Sequence, residues 1–244
     1  LGNDIRISGI ENKEVPLVQF EIVIDGGLLL ENIDKTGVSN LLARMMTQGT
    51  KNKTPQELEE AIQQLGASIN AVAGVEDIRI NVSTLAKNFQ QTVDLVKEIL
   101  LEPRWDAKEF DLIKQSVISQ LRQQEGEPNA LAQKRFNELI YGRSNIRSRS
   151  VLGDAASVNS ITLDDLKSYY VNNISPEVTR ILVVGALDKT TISSAFNQLT
   201  ANWKPKKVEI PSWSVAKENV TPKIYFYDVP DAKQSVLRIG YPAL

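Results

Sequence analysis

Two residue types are missing altogether from this 244-residue chain: it contains no histidine and no cysteine. Imidazole and thiolate are the commonest zinc ligands and the commonest activators of a nucleophile. Their absence excludes a zinc site of the ordinary kind and a His- or Cys-dependent triad built by this chain alone. Without thiols the chain is compatible with oxidising and reducing compartments alike. No apolar run approaches the roughly 18 residues of a membrane span. An excess of one charge is lacking too: 28 basic residues stand against 30 acidic ones, a net charge of -2. That balance speaks against a purely electrostatic nucleic-acid arm. What is present is ordinary for a globular protein, 42% hydrophobic and 24% charged. A chain of this size buries roughly 70–75% of its unfolded surface and needs no covalent or metal staple. It starts at Leu1 without methionine and stops at Leu244 within an apolar stretch, which reads as a fragment or a processed product.

The patterns along the chain mix both periods. Residues 5–8 and 17–24 read as strands joined by the polar turn Glu11-Asn12-Lys13-Glu14, and Gly26-Gly27 ends the second. A helix over about 37–48 carries Val38, Leu41, Leu42, Met45 and Met46 in one sector, with Asn40, Ala43, Arg44 and Thr47 in the opposite, solvent-facing one. Thr54-Pro55-Gln56-Glu57 is a capping box with proline in the first turn, and opens the next helix. Residues 67–73 and 77–86 read as a strand pair. Helical patterns follow at about 88–101, 106–125 and 128–141, and the polar stretch 142–160 reads as loop. Thr162 opens a further helix, 178–184 is a buried strand, and Asp188 caps a last helix running to Trp203. Residues 204–222 read as a linker. Beyond it, 224–229 and 235–241 repeat the strand–turn–strand layout of the N-terminus, as if a second, truncated domain over 223–244 had just begun. The expectation is therefore α+β: a mixed or antiparallel sheet with helices packed on it over 1–203, plus the first strands of a second similar domain.

The first helix carries the most specific signal, in the string Gly37-Val38-Ser39-Asn40-Leu41-Leu42-Ala43-Arg44-Met45-Met46-Thr47-Gln48-Gly49-Thr50-Lys51. It resembles the insulinase/pitrilysin-like (inverzincin) metallopeptidases of the processing-peptidase type. Their active members carry His-x-x-Glu-His on this helix, followed by Met and a Gly-Thr-Lys turn. Leu65-Gly66-Ala67-Ser68-Ile69-Asn70-Ala71, Leu101-Glu102-Pro103, Tyr141-Gly142, Arg149-Ser150-Val151-Leu152-Gly153 and Val183-Val184-Gly185 extend the likeness over essentially the whole chain.

On that resemblance, Asn40 and Arg44 stand where two histidine ligands would be, and Ala43 where a glutamate would activate water. Gln120, within Val117-Ile118-Ser119-Gln120-Leu121, stands where a glutamate would supply the third ligand. A guanidinium has no lone pair to offer and repels a divalent cation, amides offer only neutral carbonyl oxygens, and alanine accepts no proton. The resemblance thus implies a non-catalytic homologue that binds no cofactor itself, zinc being expected in a catalytic partner or other half. It would be a half or subunit that shapes a peptide-binding chamber within a dimer or larger assembly. Asn70-Ala71-Val72-Ala73 matches the edge strand on which relatives lay an extended peptide. Two alternatives remain: a purely structural subunit like respiratory-complex core proteins, or an active zinc endopeptidase. A bacterial periplasm or cell envelope location is expected from the resemblance alone.

Other features read more simply. Gly185 makes a tight turn, Arg143, Arg147 and Arg149 form a basic cluster without aromatic interleaving, and the pairs Glu125/Glu127 and Asp164/Asp165 read as loop acidity and helix capping rather than a cation site.

Overall fold

The computed structural model describes residues 5–212, 223–229 and 234–240. Five strands form one mixed sheet: β1 (Arg6–Glu11), β2 (Leu17–Asp25), β3 (Ser68–Ala73), β4 (Asp77–Leu85) and β5 (Thr179–Gly185), in the order β1-β5-β2-β4-β3. Eight helices join them: α1 (Val38–Met46), α2 (Pro55–Gln64), α3 (Phe89–Leu101), α4 (Ala107–Glu125), α5 (Pro128–Tyr141), α6 (Ala155–Ser160), α7 (Leu163–Asn173) and α8 (Lys189–Ala201). The chain is α+β, as its mixed periodicity implies.

Side chains that act locally fix the helix starts. Thr54 and Thr162 each form a capping box, with Glu57 and Asp165 respectively, and Asp106 and Asp188 accept backbone N–H groups of the first turns of α4 and α8. Each cap satisfies donors that a helix start otherwise leaves without partners.

Three expectations need correction. The N-terminal strands do not pair with each other: β5 lies between them, parallel to β1 and antiparallel to β2. Strand β1 therefore enters the sheet only through a partner more than 170 positions away (Ile7 opposite Ile181). The stretch 142–160 is not all loop, because Asp154 and Ser157 make a capping box that starts the short helix α6. Residues 223–229 and 234–240 adopt no strand pairing among the described residues, and Ile224, Phe226, Leu237 and Ile239 are exposed; residue 241 lies outside the described residues. The start of the expected linker is tied down as well. Ser175 donates its hydroxyl to the carbonyl of Lys206 (2.6 Å) and accepts that residue's N–H (2.9 Å).

One face of the sheet carries Val18, Phe20, Ile22 and Ile24 of β2, Ile78, Ile80 and Val82 of β4, and Ile181 and Val183 of β5, all buried. The opposite face leaves Leu17, Val72, Leu182 and Val184 partly open to solvent. Phe20 meets Phe89 of α3 and Phe196 of α8 edge to face, with centroids 5.3–5.8 Å apart in a closed triangle. This geometry suits the ring quadrupoles and adds to the burial of three large side chains. Phe196→Ala is expected to lower the unfolding free energy by about 3–5 kcal/mol, through lost burial plus the cavity left between α3 and α8. Urea denaturation measures it, and a loss several-fold smaller would mean that the three rings do not form one core.

Candidate functional site

Helix α1 lies on the sheet and packs against β3, α4 and α7. Its start is braced from two directions. Gly37 precedes it with φ at 111°, a conformation that suits glycine, and the carboxylate of Glu31 accepts the N–H groups of Gly37 (2.7 Å) and Ser39 (2.6 Å). Ser157 of α6 donates its hydroxyl to the carbonyl of Thr36 (2.8 Å). Gly153 approaches the same carbonyl so closely that a Cβ on it would come within 2.2 Å of the oxygen. The Arg149–Gly153 motif thus serves to seat the start of α1. Burial pushes the Glu31 carboxyl up to about 7, and the donors of Ser39, Gly37 and Val38 offset this only in part.

The far end of the helix is braced by the turn that follows it. Thr50 and Lys53 both bond the carboxylate of Glu98, Lys53 at 2.6 Å, and the N–H of Lys51 bonds the carbonyl of Glu102 (2.8 Å). Two motifs far apart in sequence, Gly49-Thr50-Lys51 and Leu101-Glu102-Pro103, are therefore one contact in space.

Between these braces Asn40, Arg44 and Gln120 converge. Arg44 Nε donates to Asn40 Oδ1 one turn earlier on α1 (3.1 Å), and Arg44 Nη2 donates to Gln120 Oε1 on α4 (3.0 Å). The guanidinium is held side-on between two neutral amide oxygens, and no carboxylate lies within 4.0 Å of it among the described residues. Ala43 is buried, not solvent-facing as its sector suggests, because α1 is covered on more than its sheet side. This donor set does not fit a zinc ion. The amide oxygens already accept from a permanent cation, that cation would repel a second one, and no side chain at position 43 can take a proton.

Segment Asn70–Ala73 lies in β3, which pairs only with β4 and so forms an edge of the sheet among the described residues. Ala71 is buried against the helix layer, while Asn70 and Val72 face outward. The other candidates resolve into structural pairs. Asp165 bonds Lys35 (2.7 Å) as well as Thr162, Arg147 bonds Glu76 (2.8 Å), and Arg143 lies 3.4 Å from Glu138. Glu31 escaped the sequence reading because it sits six residues before Gly37, outside capping-box spacing.

The fold thus carries, between α1 and α4, a guanidinium held by two amide oxygens. The chain belongs to the insulinase family, peptidase family M16. Residues 7–154 match that family, and residues 160–244 match the peptidase M16 inactive domain. Both matched regions build the same sheet, since β5 of the second lies between β1 and β2 of the first. The chain is 23% identical over 235 residues to the non-peptidase homolog YmxG of Helicobacter pylori, covering 95% of this chain and 53% of that protein. It is 24% identical over 187 residues to a probable mitochondrial-processing peptidase subunit beta of Arabidopsis thaliana, covering 77% of this chain and 35% of the relative. The solved structure of a peptidase M16 inactive domain from Pseudomonas fluorescens superposes with a TM-score of 0.80 at 20% identity, over 86% of this chain and 52% of that one. The chain thus spans about a third to a half of the length of the relatives it matches.

The raised Glu31 carboxyl generates a prediction. The folded state holds this proton up to about pH 7, whereas an unfolded glutamate releases it near 4.5. The contribution to stability is therefore fully present below pH 4.5 and declines as the pH rises to about 7, by about 3 kcal/mol across the window. Urea melts of wild type and Glu31→Gln between pH 4.5 and 7.5 are expected to differ in slope over that range, the variant being flatter. Parallel curves would refute the assignment.

Proposed function

We propose that this chain is a non-catalytic half or subunit of an insulinase-type peptidase assembly. It helps enclose and position peptide substrate, and a zinc-bearing half or subunit of the same family performs the cleavage. The observation that carries this reading is the Arg44 guanidinium seated between Asn40 and Gln120. In a zinc peptidase the ligands must supply lone pairs to the metal, leave one position open for water, and keep a base beside it. Here a permanent positive charge takes up the lone pairs, and Ala43 offers no base. Two relatives support the reading: one is named a non-peptidase homolog, the other a subunit of a processing peptidase. Edge strand β3, with alanines at 71 and 73, provides a backbone on which an extended peptide can be added as a further strand.

Metal analysis of the purified chain is expected to give substoichiometric zinc. The triple variant Asn40→His, Arg44→His, Gln120→Glu is expected to bind zinc measurably by calorimetry, because it puts lone-pair donors on the converging side chains. Adding the wild-type chain to a zinc-bearing family partner that co-purifies with it is expected to raise cleavage of unstructured peptides. Stoichiometric zinc that disappears on Asn40→Ala or Gln120→Ala would overturn the proposal, as would chelator-sensitive cleavage by the isolated chain.

A further inference from the structure

We propose that Arg44 is a carboxylate-recognition site, and that its ligand is an extended peptide carrying a free carboxylate. The proposal rests on the peptide-binding reading above and adds the chemistry that the peptide must bring.

Guanidinium has five N–H donors, and Arg44 commits two, one from Nε to Asn40 and one from Nη2 to Gln120. These lie on its side-on edge. The end-on pair, one N–H from each Nη nitrogen, has no acceptor among the described residues, and that pair matches the two oxygens of a carboxylate. Arg44 differs from the arginines that the fold neutralises. Arg79, Arg104, Arg135, Arg147 and Arg180 each meet an aspartate or glutamate. Arg44, half-buried between α1 and α4, meets only neutral oxygens.

Its two amide bonds orient the planar group before any ligand arrives, so little side-chain freedom is left to lose on binding. Neutral acceptors orient it without cancelling its charge. Burial between helices limits competition from water and salt, which strengthens a charge-assisted pair relative to one on the open surface. Helix α1 also packs against β3, so the cation belongs to the same helix that backs the edge strand. A peptide added to β3 supplies backbone bonds there and a carboxylate to Arg44. That carboxylate is either the C-terminal group or an acidic side chain, and the two share one chemistry.

Two measurements on the intact chain test this. In the first, N-acetylglycine and its uncharged amide are titrated at constant ionic strength into isotope-labelled chain, and the Arg44 Nε–H resonance is followed. The acid is expected to move it saturably, the amide not. In the second, three fluorescent unstructured peptides are compared: one with a free C-terminus and no acidic side chain, one amidated with a single Glu, and one amidated with Gln in its place. At least one carboxylate peptide is expected to bind about tenfold tighter than the amidated Gln peptide, the size of one charge-assisted hydrogen-bonded pair. Whichever it is identifies the source of the carboxylate. Arg44→Gln is expected to abolish the difference, and Arg44→Lys, which keeps the charge and loses the fork, to shrink it.

Equal binding of all three peptides, unchanged in both variants, would overturn the carboxylate site while leaving peptide binding intact. A saturable response to N-acetylglycine without binding of any longer peptide would keep the site and overturn the peptide reading. No saturable response of Arg44 to the acid would overturn the proposal outright.

Discussion

One face of the five-stranded sheet is far more buried than the other, and most of the architecture follows from that asymmetry. The alternation of β2, β4 and β5 sends Phe20, Ile22, Ile80, Val82, Ile181 and Val183 to one side, where helices must cover them. Helix α1 is nine residues long and nearly all buried, so it cannot be a solvated amphipathic helix with one polar stripe. It is an interior helix whose polar atoms need partners. Its N-terminal donors find Glu31, and its one large cation finds Asn40 and Gln120. Burying α1 thus calls for a partner at each end: the Glu31 carboxyl at its start, and in its last turn a cation where the helix dipole favours one.

That arrangement also explains why neutral amides suffice around Arg44. A divalent ion needs anionic or strongly basic ligands to offset the loss of its hydration shell. A guanidinium is more weakly hydrated and is satisfied by directional hydrogen bonds from neutral oxygens. An arginine at this place therefore makes no demand for charge on the surrounding helices, and a neutral glutamine on α4 is sufficient for it. The three positions make sense as a set. Asn40 and Gln120 are the two acceptors of Arg44.

How much of this was legible in the sequence depended on the range of the interaction involved. Capping boxes at Thr54 and Thr162 and caps at Asp106 and Asp188 are contacts over three residues, and both partners stand side by side in the chain. The insertion of β5 between β1 and β2 was not legible, because nothing local in residues 5–24 records that a strand from the far end of the chain separates them. The exposure of position 43 was misjudged for a similar reason: helical periodicity describes one contact face, and α1 has several. Asn40 and Arg44 are one turn apart and readable as a pair, but Gln120 joined them only through the family resemblance. Glu31 had no sequence signal at all, since its reach to the start of α1 depends on the intervening 3-10 turn Ile33–Lys35.

Neutral amide acceptors have a further consequence that separates Arg44 from the chain's ion-paired arginines. Where Arg147 meets Glu76 or Arg180 meets Asp25, the guanidinium is already neutralised, and a ligand's carboxylate would have to displace a resident one. At Arg44 no such exchange is needed. Had a glutamate stood at position 120, the same geometry would have closed an internal ion pair between α1 and α4 and spent the cation on the fold. With glutamine there, the hydrogen bond that aligns the side chain is kept while its charge stays uncompensated by any described neighbour. Gln120 thus orients the Arg44 guanidinium without neutralising it.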